Sequence, residues 1–144
     1  MSGKTKATYH HGDLRAELLA RAPDLISDHG LDGFTLRALA RNIGVTHGAV
    51  YRHFSDKREL LVALALIGHA DLSQNLKSAA SMDDDAEASI AAVAKAYVRW
   101  SLSNDSLYQI MFGPRLNEDA RYADLEGAIE KTFRAVEGLF ARSS

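Results

Sequence analysis

The stretch Thr35–Phe54, TLRALARNIGVTHGAVYRHF, decides the fold. Leu36, Leu39, Ala40 and Ile43 recur at helical spacing, which predicts a short amphipathic helix behind Thr35 as its cap. Gly44 supplies the positive φ that closes such a helix. Thr46 is a good N-cap for a second helix, and Val45 and Val50 stand where a hydrophobic staple would close. Two short helices around a glycine turn are the layout of a helix-turn-helix. At ~100° per residue, Val50, His53 and Phe54 fall on one side of the second helix. His47, Gly48 and Tyr51 fall on the other. The first set is expected to plug into the preceding helix, with His53 as a core histidine. The second set is expected to face outward, where a helix-turn-helix meets the major groove.

Outward from this stretch the chain reads as helices only. A first helix is expected from about Asp13 to His29, with Leu14, Leu18, Ala22, Leu25 and Ile26 as its stripe and Gly30 as its stop. Pro23 inside that stripe predicts a kink near Leu19–Pro23. After Ser55 or Asp56 as cap, a fourth helix continues to about Ala80. Ser81–Asp85 is the clearest break, and its aspartates suit the positive end of a new helix. A fifth helix shows Ile90, Val93, Tyr97 and Trp100 on one face. A short sixth, LYQIMFG, ends at Gly113 and Pro114. A seventh follows Asn117, with Tyr122, Leu125, Ile129, Phe133, Val136 and Phe140 as its stripe. The expected architecture is all-α: a three-helix helix-turn-helix unit over residues 1–68 and a helical regulatory body over 69–144.

Composition narrows the function. The 144 residues are 47% hydrophobic with 2 prolines, the balance of a folded chain. There is no cysteine, hence no disulfide or thiolate metal site. The opening MSGKTKATYHHGD has no apolar signal-peptide core, and the apolar run Leu60–Ile67 is far short of a bilayer span. The net charge of −2 is unevenly spread. Residues 1–68 hold 9 Lys/Arg against 7 Asp/Glu, and residues 69–144 hold 8 against 12. The basic balance lies with the helix-turn-helix, where Lys4 and Lys6 form a basic arm. Six histidines lack the spacing of a helical zinc site, so no metal or cofactor is expected. No nucleophile elbow or Gly-rich phosphate loop points to an enzyme.

GVTHGAVYRHFSDKRELL resembles the recognition helix and following helix start of the TetR family of bacterial transcriptional regulators. LRAELLARAPDLISDHGLDGFTLRALARNIG resembles that family's first two helices, so the likeness covers roughly residues 12 to 65. It implies a cytoplasmic, sequence-specific repressor that binds double-stranded operator DNA as a homodimer and answers to a small-molecule effector. It also implies two further long helices that this sequence lacks, so the chain is expected to be shortened and to dimerise weakly. The alternative is a helical interaction module without DNA binding.

Residue by residue, Tyr51 is expected to hold a phosphate, and His47 to read base edges beside Gly48, which lets the backbone approach. Thr35 and Thr46 are caps whose helix ends also suit a phosphate. Arg37 and Arg52 flank the same surface. Lys57 sits in a helix's first turn, where a cation opposes the macrodipole, so a DNA phosphate is the expected partner. In the body, Tyr97, Trp100, Tyr108, Met111, Phe112 and Phe133 are expected to line the effector cavity.

Overall fold

A computed structural model describes residues 13–80 and 85–143. Seven helices occupy the described residues: α1 (Leu14–Gly33), α2 (Leu36–Ile43), α3 (His47–Tyr51), α4 (Lys57–Ala80), α5 (Ala86–Ser103), α6 (Asp105–Phe112) and α7 (Ala123–Ser143). The chain divides into two compact units, Met1–Leu61 and Val62–Ser144. Lys4, Lys6, His10, His11 and the aspartates Asp83 and Asp84 lie outside the described residues.

In the first unit α1 packs on α2, and α2 on α3. The Thr35 hydroxyl accepts from the Ala38 N–H at 3.0 Å and starts α2. Gly44 adopts φ 86°, ψ 34° and donates its N–H to the Ala40 carbonyl. The Thr46 hydroxyl accepts from the Ala49 N–H at 3.2 Å and starts α3. Leu18, Ile26, Phe34, Leu39, Val50, Phe54 and Leu60 are fully buried. Each such side chain contributes about 1.5–3 kcal/mol relative to exposure. These anchors hold a helix as short as α3, which has too few residues to persist alone.

Two expectations need correction here. His53 is exposed, because α3 ends at Tyr51. Past it the backbone turns, and the N–H groups of His53 and Phe54 both donate to the Val50 carbonyl at 3.0 Å. A helical wheel no longer applies there. The backbone torsions of α1 stay helical at Pro23 and break at Gly30, which takes φ 77°, ψ 159°, a region open only to glycine. α1 resumes beyond it to Gly33.

In the second unit α5 packs on α6 and α7. The Asp85 carboxylate accepts from the Ala88 N–H at 3.4 Å and caps α5. A side chain at Gly68 would place its Cβ 2.5 Å from Met111 Sδ, so α6 approaches α4 where α4 has no side chain. α7 buries Leu125, Thr132 and Leu139, spaced by two turns. Phe133 and Phe140, placed on its apolar stripe by spacing alone, are 56% and 59% exposed. The sequence stripe is wider than the face that α7 buries.

Candidate nucleic-acid interface

The outward side of α3 carries the predicted surface. Tyr51 is 51% exposed, Gly48 is exposed, and His47 is half-buried. The His47 and Tyr51 rings meet edge to face, 6.5 Å between centroids. Val50 beneath them is fully buried and fixes the rotation of α3, so imidazole, glycine and phenol share the free side. Gly48 has no structural need to be glycine. A Cβ there would meet only the Thr46 hydroxyl, at an ordinary 3.9 Å. The fold therefore carries glycine's helix cost of about 1 kcal/mol relative to alanine without requiring it.

Thr35, Arg37, Thr46 and Arg52 are all exposed at helix ends of the same unit. Both threonine hydroxyls are occupied as caps.

Lys57 is placed differently from expectation. Its ammonium donates to the Leu31 carbonyl at 2.6 Å and lies 5.9 Å from the centre of the Phe34 ring. α1 has no basic residue in its own last turn. Lys57 supplies the missing cation to that carbonyl end. Its place in the first turn of α4 is thus explained within the protein. The cost to the α4 dipole is offset by Asp56, whose carboxylate accepts from the Glu59 N–H at 2.8 Å. Glu59 in turn accepts from the Ser55 N–H at 2.7 Å. Arg15 stacks its guanidinium 5.3 Å from the Phe54 ring centre, a contact the spacing did not reveal.

Three of the predicted effector residues, Tyr97, Tyr108 and Phe112, form a chain of aromatic contacts. The Tyr97 hydroxyl donates to the Tyr108 oxygen at 3.2 Å, and this bond together with burial pushes the Tyr97 phenol up to about 12. Tyr108 lies 4.8 Å from Phe112, and Phe112 lies 5.8 Å from His69, ring centre to ring centre. Trp100 is buried and donates its indole N–H to the Asp71 carboxylate at 2.7 Å. Met111 is buried, while Phe133 faces outward. A half-open cleft of about 420 Å³ lies elsewhere, lined by Leu66, His69, Ala70, Ser73 and Lys77 of α4 and Lys131 of α7, among others. None of Tyr97, Trp100, Tyr108, Met111, Phe112 and Phe133 lines it. His69, one of the six histidines without zinc-site spacing, was not singled out from the sequence. Its signal was position. Leu61, Ala65, His69, Leu72 and Leu76 follow one another three or four residues apart along α4, and all five are buried.

These helices define a helix-turn-helix unit joined to a helical body. The family model for bacterial regulatory proteins of the tetR family matches residues 18–64. The chain is 32% identical over 107 residues to the HTH-type transcriptional regulator Rv1816 of Mycobacterium tuberculosis, covering 70% of this chain and 46% of that one. A solved protein of unknown function from Rhodococcus sp. RHA1 is 37% identical with TM-score 0.72, over 93% of this chain and 71% of that one. A tetR-family regulatory protein from Rhodococcus RHA1 is 27% identical with TM-score 0.67, over 85% of this chain and 67% of that one. Residues 18–64 thus match the tetR-family model, and the chain spans about half the length of the curated regulator it matches.

Proposed function

We propose that the protein is a sequence-specific, DNA-binding transcriptional regulator that acts as a ligand-responsive repressor. The observation that carries this reading is the free face of α3, where His47, Gly48 and Tyr51 stand outward over a fully buried Val50. The phenol of Tyr51 donates to a phosphate and sets the register of the helix. The imidazole of His47 reaches a base edge, donating to guanine N7 or O6 or touching a thymine methyl. Gly48 lets the backbone come close between them. Arg37 and Arg52 add charge at the edges, and the N-terminus of α2 behind Thr35 offers free N–H groups to a phosphate. Lys57 retains N–H groups beyond the one given to Leu31, so it serves both the fold and the phosphate backbone.

Two copies would set two α3 helices into successive major grooves of a pseudo-palindromic operator. A ligand in the second unit then lowers affinity only by favouring a form in which the two helices lose that spacing. The exposed Val98, Leu102, Phe133 and Phe140 support self-association through the second unit.

The test is selection from a random duplex pool, followed by a salt titration of the winning duplex. Phosphate contacts make log K fall against log salt by about 0.9 per contact. A steep slope, with Tyr51→Phe weakening the duplex at every salt concentration, supports the reading. Failure to enrich any sequence, with a flat salt response, would leave a protein-docking module instead.

A further inference from the structure

We propose that the cleft between α4 and α7 binds a small carboxylate that also carries a hydroxyl group. Two residues that line it each hold a buried polar atom without a hydrogen-bond partner among the described residues: His69 Nε2 and Ser73 Oγ. Their residues are 1% and 4% exposed and stand one turn apart on α4, both lining the cleft. A buried polar atom without a partner is costly, which makes a pair of them beside a cavity a place for a ligand to complete.

The neighbours say what kind of group fits. The Thr132 hydroxyl lies 3.0 Å from the Ala128 carbonyl and 3.2 Å from His69 Nδ1. Its single proton goes to the carbonyl, so its oxygen accepts from Nδ1–H. Burial lowers the His69 pKa and keeps the ring neutral. Nε2 therefore holds a lone pair and needs a donor. A ligand hydroxyl supplies that proton, and its oxygen can accept from Ser73 Oγ–H. The rim is cationic: Lys77 and Lys131 line the cleft, and among the described residues no carboxylate does. A carboxylate is the group that matches two lysines, while Leu66 and Ala70 offer a short apolar wall. A volume of about 420 Å³ suits a small molecule.

The site stands apart from DNA binding; only its effect on operator affinity rests on the regulator reading. The probes are 3-hydroxyhexanoate, hexanoate and 1,3-hexanediol, titrated into the 144-residue chain by calorimetry and nitrogen-15 NMR of the histidine ring. 3-Hydroxyhexanoate should bind about tenfold more tightly than hexanoate, because only it satisfies the buried pair. The diol, without a carboxylate, should bind weakest. Ser73→Ala, a substitution that α4 accommodates, should remove most of the hydroxyl's advantage. Lys77→Gln and Lys131→Gln, both at exposed positions, should each weaken the acid several-fold and leave the diol unchanged. The His69 Nε2 resonance should shift with 3-hydroxyhexanoate and not with hexanoate. Equal affinity for the two acids, or indifference to both lysine changes, overturns the site. Binding in the stated pattern with duplex affinity unmoved upholds the site and counts against regulation through it.

Discussion

Gly48→Ala separates what the fold needs from what a partner needs. The added methyl meets only the Thr46 hydroxyl at 3.9 Å, so nothing inside the protein resists it. Alanine in place of glycine within a helix gains roughly 0.5–1 kcal/mol from reduced backbone freedom in the unfolded chain. For a unit of this size that raises the melting temperature by about 2–8 °C. Against DNA the sign reverses. The methyl projects from the free side of α3 between His47 and Tyr51, where the closest approach to base edges is expected. A displacement of this helix should weaken a selected duplex at least about tenfold, or ~1.4 kcal/mol. Thermal unfolding and fluorescence anisotropy on the same preparation read both effects. A stabilised variant with undiminished duplex affinity refutes the assignment of this face. A destabilised variant refutes the local account of α3.

His47→Ala should change which base is preferred at one operator position while leaving the salt slope alone, as read by repeating the duplex selection. Lys57→Ala should weaken all duplexes alike and also lower the unfolding free energy by about 1 kcal/mol, because the Leu31 carbonyl loses its cation. Unchanged stability in urea would contradict that second role. Leu39→Ala, in a fully buried position of α2, should cost about 2–5 kcal/mol in urea unfolding. His69 gives a pH dependence. Burial holds its pKa below the ordinary 6.5, so the unfolded chain takes up the proton first on acidification. Its contribution to stability should be present above about pH 6.5 and decline as the pH falls toward the depressed folded value. Urea midpoints across that range should flatten in His69→Gln.

The first unit was readable because its signals are local. Thr35, Gly44 and Thr46 act within four residues of their own positions, and the caps and the positive φ stand where the spacing placed them. The outward set His47, Gly48 and Tyr51 followed from helix period alone. His53 did not, since two residues of turn replace the last turn of helix. The bond of Lys57 to Leu31 was not legible because that partner lies 26 residues away, at a carbonyl that no periodicity marks. The second unit was harder to read for a related reason. Its helices have apolar residues on more than one side, so spacing could not tell Leu125 and Leu139, which are buried, from Phe133 and Phe140, which are not. The cleft is lined mainly by small, polar and lysine residues of α4 and α7, a set that carries no pattern until the two helices meet.

The most direct measurement is amide chemical-shift mapping of the chain with a selected operator duplex. Our account predicts the largest changes at residues 46–52 of α3 and its cap, smaller ones at 35–37, and near silence around the cleft at His69 and Lys131. Duplex-induced shifts that spare α3 and gather on the second unit would contradict it.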